Sequence, residues 1–213
     1  MKAYYRSISK AVLSALIGIV VVMIVFSIFS PATNEHVLYV RHLEDFREEK
    51  DRYFKHDENS PIEDRENFAG LNYFSPNPDY KIMAKLNLIK DSTEISLART
   101  DGKEEKFIRY AQASFYLNDS LHTVTIMKRT NNRVDTNLRF LPFYDKTNGI
   151  TTYDNGRYLD LQFINDEEIE IDFNLAYNPY CVYNYRYSCP FPPRENYISS
   201  EVLAGEKKYN TYE

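Results

Sequence analysis

The sequence predicts a mainly β domain, an antiparallel meander forming a small barrel or sandwich, with N-terminal helices before it and one transmembrane helix at the front. Three observations predict this. From about Tyr80 onward, apolar and polar residues alternate with a period of two. Turn dipeptides such as Asp101-Gly102, Asn118-Asp119 and Asn155-Gly156 separate the alternating stretches. Ahead of them, residues 11–30 carry no charge at all. Closely spaced strands joined by tight turns favour antiparallel pairing, because a parallel sheet needs crossover helices.

In chain order, residues 1–10 form a basic end with Lys2, Arg6 and Lys10 and no acid. Residues 11–30, AVLSALIGIVVVMIVFSIFS, are long enough as a helix to cross the ~30 Å hydrocarbon core of a bilayer. A cleaved signal peptide is the rival reading, with Ser30-Pro31-Ala32 as a loose cleavage site, although such apolar stretches usually run about 7–15 residues. A buried core helix is the third reading, uncommon for an all-round apolar helix in so small a domain. No Cys lies near the run, so a lipoprotein-type anchor is not supported. Cations precede it and none follows until Arg41. The positive-inside rule then leaves the N-terminus in the cytoplasm and the domain outside the cytoplasmic membrane, periplasmic or extracellular.

Residues 31–79 read as the helical N-terminal part of the outer domain. Val40, Leu43, Phe46 (or Arg47), Lys50 and Tyr53 with Phe54 recur at mixed three- and four-residue spacing within 34–55, predicting an amphipathic helix. Ser60-Pro61-Ile62-Glu63 has the form of a capping box, predicting a second, shorter helix that ends near Phe68. Residues 80–213 are the β domain, with strands expected at 80–89, 93–99, 105–117, 121–129, 138–143, 157–163 and 168–174. The Tyr-, Asn- and Pro-rich segment 177–197 is expected to wrap across the sheet, because so many rings are costly to leave in water.

The composition narrows the class. The chain has 213 residues, 43% hydrophobic and 15% aromatic, two Cys, and a net charge of −5. A disulfide-dense miniprotein, a collagen-like repeat and a disordered acidic tail are excluded. With 26 Lys and Arg against 31 Asp and Glu, nucleic acid is not an expected partner. Every acidic residue lies after position 34, so the outer domain is more acidic than the average suggests.

One register is open to argument. A three-residue loop at Asn165–Glu167 would pair Phe163 with Ile169, Leu161 with Ile171 and Leu159 with Phe173, putting the apolar side chains on one face. The same hairpin would set Asp160 opposite Asp172, with Tyr158 opposite Asn174. Two opposed carboxylates are mildly destabilising and invite a compensator: a hydrated face, an Arg such as Arg157 or Arg186, a bound cation or a shared proton.

Cys181 and Cys189 have no His near them, so zinc spacing is not met and no metal is implied. A disulfide closing a small loop, a pair of free buried thiols and a catalytic thiol are the readings, the last lacking an identifiable base. Neither a serine-hydrolase elbow nor a phosphate-binding glycine loop occurs, and no cofactor is implied.

Several motifs carry a resemblance: Phe140-Leu141-Pro142-Phe143, Gly156-Arg157-Tyr158-Leu159-Asp160, Asp172-Phe173-Asn174, Asn178-Pro179, Tyr187-Ser188-Cys189-Pro190, and Ala204-Gly205-Glu206. With Gly70-Leu71 and Tyr73-Phe74 upstream, they resemble a bacterial and archaeal family of uncharacterised domains, the domain of unknown function numbered one-six-eight-four. The resemblance covers roughly residues 40–208 and implies no activity.

The candidate ligand-binding residues are therefore Arg157, Tyr158, Asp160, Asp172, Asn174 and Asn178, which share a motif region with the cysteines. Three functions follow. A membrane-tethered β domain binding a small polar, glycan-like ligand or an envelope partner would use rings for stacking and Asp and Asn for hydrogen bonds. A hydrolase would use Asp160 and Asp172 as an acid–base or metal-holding pair. A purely structural envelope protein would use neither.

Overall fold

The computed structural model describes residue 12 and residues 15–23, 31–91, 93–130, 137–163 and 165–209. The chain divides into two compact units, residues 1–42 and 43–213. In the first, residues 15–23 are helical and expose Leu16, Ile17, Ile19 and Val20–Met23. Among the described residues no helix is long and apolar enough to cross a membrane. Residues 11, 13, 14 and 24–30 of the expected span lie outside the described residues.

The helix α1 runs Pro31–His56. In the second unit its stripe of Leu43, Phe54 and the half-buried Tyr53 turns inward, as the three- and four-residue spacing requires. The shorter helix expected after Ser60 is absent, since residues 57–77 carry no helix. Ser60 is used otherwise: its Oγ donates to the Phe54 carbonyl at 2.5 Å and accepts from Ile62 N–H at 3.1 Å. The hydroxyl thus closes the end of α1, where the last carbonyls lack helical partners, instead of opening a new helix.

Among the described residues eight strands follow: β1 Lys81–Leu88, β2 Glu94–Ala98, β3 Glu104–Leu117, β4 Ser120–Arg129, β5 Leu138–Asp145, β6 Arg157–Gln162, β7 Glu168–Asp172 and the short β8 Tyr197–Ile198. The first seven match the alternating stretches of the sequence. Their sheet runs β6-β5-β4-β3-β1-β7, with β2 added to β3 and β8 to β5. All its pairs are antiparallel apart from β5–β8. The β3–β4 turn is as tight as its residues allow, Leu117 facing Ser120 with Asn118 and Asp119 both left-handed, φ 50° and 58°.

The sheet is barrel-like and nearly closed. Its two terminal strands, β6 and β7, are neighbours in sequence and come into contact. No ladder joins them among the described residues. The expected 157–174 hairpin is therefore corrected: β7 pairs with β1, Ile171 facing Ile82, while β6 pairs with β5, Asp160 facing Phe140. The other edge of β6 is taken by Tyr177, which exchanges two backbone hydrogen bonds with Tyr158 at 2.9 and 3.0 Å. Asp160 and Asp172 consequently do not oppose each other. The faces nevertheless follow the sequence. Leu159, Leu161, Ile169, Ile171 and Phe173 all enter the barrel core, packed with Ile126, Leu141 and Phe143.

A second apolar cluster lies on the outer face. Phe107, Met127, Phe140 and Tyr158 project from the strands and pack with Leu97 and Cys189. Segment 177–191 wraps over this face, and Phe54, Ile62, Phe68 and Tyr183 join it to the α1 side.

Candidate functional site

Between these layers a cavity of about 680 Å³ opens. It falls in the volume range of small-molecule sites. The walls come from three places. From α1 come Phe46, Glu49, Lys50, Tyr53 and Phe54; from the strands come Glu105, Arg129, Tyr158 and Asp160; and from the wrapping segment come Tyr177, Pro179, Tyr180 and Tyr187–Pro190. Alternation along β6 explains the strand contribution. Arg157, Leu159 and Leu161 face the core, so Tyr158 and Asp160 must face outward.

Rings set the cavity's shape. Tyr158 meets Phe140 edge-on at 4.9 Å and Tyr177 at 5.8 Å, while Tyr180 meets Tyr187 at 5.3 Å. Burial pushes the Tyr158 and Tyr177 phenols far above their ordinary range, and the Asp160 carboxylate adds to the rise at Tyr177. Both are neutral donors at any physiological pH. Tyr177 donates to Asp160 Oδ2 at 2.6 Å, and Tyr158 donates to the Pro190 carbonyl. The cations are already engaged. Lys50 Nζ bonds Glu206 Oε1 at 2.6 Å and lies 5.0 Å from the centre of the Tyr177 ring. Arg129 bonds Glu105 at 3.3 Å and sits 4.1 Å from the centre of the Phe140 ring. What faces the opening is a floor of rings with an exposed, oriented carboxylate at Asp160.

The other sequence candidates lie elsewhere. Arg157 is fully buried and points into the barrel end, where it donates to Asp145 Oδ2 at 2.9 Å and to the carbonyls of Val202, Ala204 and Glu206 at 2.5–3.1 Å. Asp172 is buried and caps a turn of 3-10 helix, its Oδ1 accepting from Asn174 N–H at 3.0 Å. Asn174 brackets Asn77 through bonds of 2.9 and 2.8 Å. Asn178 donates from its backbone to Glu206 Oε2 and from its side chain to the Lys207 carbonyl, both at 2.8 Å. These four hold chain segments together. Only Tyr158 and Asp160 of the six line the cavity.

Cys181 and Cys189 are free thiols, and Cys189 lines the cavity. Among the described residues no three His, Cys, Asp or Glu side chains converge as a metal would need.

The strand and wrapping-segment walls fall within residues 66–207, which match the family described as protein of unknown function (DUF1684). The chain belongs to this family. The α1 wall of the cavity lies outside the span that the DUF1684 model matches. A solution NMR structure of an uncharacterized protein from gene locus rrnAC0354 of Haloarcula marismortui is similar, at 35% identity and a TM-score of 0.64. The similarity covers 82% of this chain and 96% of that one. No curated protein matches the chain significantly. The fold is thus shared with a protein that is itself uncharacterized.

Sequence reasoning missed Lys50, Tyr53, Phe54, Glu105 and Arg129 as cavity residues. For the helix residues the signal was available: Phe46, Lys50 and Phe54 recur at four-residue spacing, so the cation sits inside an aromatic stripe where an apolar side chain would be ordinary.

Proposed function

We propose that this chain is a membrane-tethered domain that binds a small polar, glycan-like ligand in the aromatic cavity, on the outer side of the cytoplasmic membrane. The observation that carries the binding reading is the Tyr177–Asp160 pair at the edge of a ring-lined cavity. Rings offer flat faces to the C–H side of a sugar, and an oriented carboxylate accepts from its hydroxyls. The tether rests on the uncharged run 11–30 and the basic residues before it. The exposed apolar side chains of residues 15–23 are in keeping with a lipid environment. The hydrolase reading loses its support, because its two carboxylates do not share a site.

Saturation-transfer NMR on the full chain, in a detergent without a sugar headgroup, against neutral mono- and disaccharides tests the binding. We expect transfer to at least one sugar, and Asp160→Ala to weaken that sugar by about tenfold, as loss of a charge-assisted hydrogen bond does. A panel with no transfer to the wild-type protein sinks the reading. For the tether, a C-terminal alkaline phosphatase fusion in a bacterial host should be active and membrane-bound.

A further inference from the structure

The cysteines lie beside the cavity with no part in sugar binding. Cys189 stands in its wall, just before Pro190, and Cys181 occupies the single 3-10 turn Tyr180–Val182 behind it. The Cys181 backbone N–H donates to Cys189 Sγ at 3.3 Å, and the two thiols hydrogen-bond each other. The far side of Cys189 is fixed by the residues after β2. Its N–H donates to Thr100 Oγ1 at 3.2 Å and its carbonyl accepts from Thr100 N–H at 3.1 Å. Arg99 donates to the Ser188 carbonyl at 2.9 Å, which brings a guanidinium beside the sulfur.

This arrangement divides the labour between the two sulfurs. The Cys181 thiol's hydrogen bond, the Cys181 amide and the charge of Arg99 pull Cys189 down to about 7, against burial and Glu105. Donation to Cys189, followed by burial, pushes Cys181 up. The titratable groups facing the pair are Arg99, Glu105, Tyr153 and Tyr158. Glu105 is shared between Arg129 at 3.3 Å and Arg99 at 3.9 Å, and Arg99 also lies 3.9 Å from Asp101 Oδ1, so the Arg99 charge is partly compensated and the donors of Cys181 lead. A polarised, partly ionised sulfur at a cavity wall with a second thiol in contact is the minimum equipment for exchange chemistry.

We propose that Cys189 and Cys181 form a thiol–disulfide exchange site whose substrate is a small organic disulfide admitted by the cavity. The Cys189 thiolate attacks one sulfur of the substrate. The substrate S–S bond breaks, and its other half leaves as a thiolate that takes up a proton. Cys181 then loses its proton and attacks Cys189 Sγ, breaking the mixed disulfide and releasing the second substrate thiol. One small disulfide is reduced to two thiols while two protein thiols become one disulfide, so electrons and protons balance. The product bond would close the loop that carries Tyr187 and Ser188, both part of the cavity wall. The chemistry uses the cavity as an entrance and does not depend on Asp160, so it stands or falls apart from sugar binding.

The test is to treat the reduced, folded full chain with oxidised glutathione and to map its peptides without reductant. The wild type should form an intramolecular Cys181–Cys189 disulfide that excess reduced glutathione reverses. Cys181→Ser should trap a mixed disulfide on Cys189 several-fold faster than Cys189→Ser traps one on Cys181, because Cys189 lines the cavity and keeps the residue-181 amide as a donor. Limiting iodoacetamide on the wild type should label Cys189 first, which checks the asymmetry without any variant. Equal trapping in the two variants, no reaction of the folded wild type, or a disulfide that the folded protein keeps in dithiothreitol would each overturn the proposal. The last outcome would make the pair a static cross-link.

Discussion

Along β6, two neighbouring residues enter opposite regimes. Arg157 goes to the barrel end, where a buried guanidinium is met by one carboxylate and three carbonyls. Tyr158, one residue later, faces a cavity whose nearby Asp160 carboxylate is open to water. At the barrel end both terminal guanidinium nitrogens of Arg157 are spent on buried acceptors and Nε is left without a partner among the described residues, whereas the cavity keeps an exposed acceptor at Asp160. Within one short motif, then, the core-facing positions serve stability and the outward ones are available for binding. This is why a motif read as a single site resolved into two.

Breaking the buried Arg157 end should have the largest effect. Arg157→Met leaves Asp145 buried, without its cation, beside carbonyls that lose their donors. Removing one partner of a buried pair typically costs about 3–5 kcal/mol, a large part of a domain's stability of about 5–15 kcal/mol. Urea unfolding followed by circular dichroism should show a midpoint shift of that size; a shift under about 1 kcal/mol would mean that the barrel end is not the clamp described.

Gly156→Ala should rank next. Gly156 has φ +85°, and a Cβ there would lie 2.5 Å from the Phe143 carbonyl oxygen and 2.7 Å from Pro192 Cγ. Strained φ and forced overlap together should cost about 1–3 kcal/mol in the same assay. Because Pro192 belongs to the chain covering the outer face, this variant should also disturb the cavity, whereas Arg157→Met acts from the opposite side of the strand.

The contrast also shows what the sequence could disclose. The period of two located seven strands and assigned Leu159, Leu161, Ile169 and Ile171 to one face. It could not name their partners. In a nearly closed barrel both terminal strands send apolar residues to the same core, so a hairpin and a seam have identical patterns. The Asp160–Asp172 pair was a product of that ambiguity. The capping box at Ser60 failed for a related reason, since the same hydroxyl satisfies either a helix beginning or the end of the helix before it. The cavity was only half legible because its α1 wall lies more than 50 residues from its nearest strand wall, Glu105, and no local spacing connects them. The wrapping segment was legible because burying its rings outweighs almost any alternative.

On the cavity side, Tyr177→Phe removes the hydroxyl bonded to Asp160 and keeps the ring. The loss of stability should be about 0.5–1.5 kcal/mol, the usual worth of one hydrogen bond, while sugar affinity falls as Asp160 loses its orientation. If stability fell as far as in Arg157→Met, the outer face would matter to folding as much as the barrel end does, and the comparison would collapse.

The smallest effect should come from Asp51, near Glu206, whose side chain bonds Lys50 in the cavity wall and whose backbone carbonyl accepts from Arg157. The Asp51 carboxyl is raised above 3.8, first by burial and further by Glu206, against the Leu71 amide and Lys50. A raised acid holds its proton longer in the folded state than in the unfolded one. Its contribution is therefore most favourable below pH 3.8 and is lost as pH rises through the folded value, after which it stays constant. Asp51→Asn should remove that decline while keeping an acceptor for the Leu71 amide, now bonded at 3.1 Å. The variant should thus gain on the wild type from acid toward neutral pH, by less than about 1 kcal/mol once solvent screening is allowed for. Subtracting the two urea-unfolding profiles cancels carboxylates they share. A flat difference would show that the charges around Glu206 are fully compensated, and a rising one that burial and the Glu206 charge outweigh the Leu71 amide and Lys50 at Asp51.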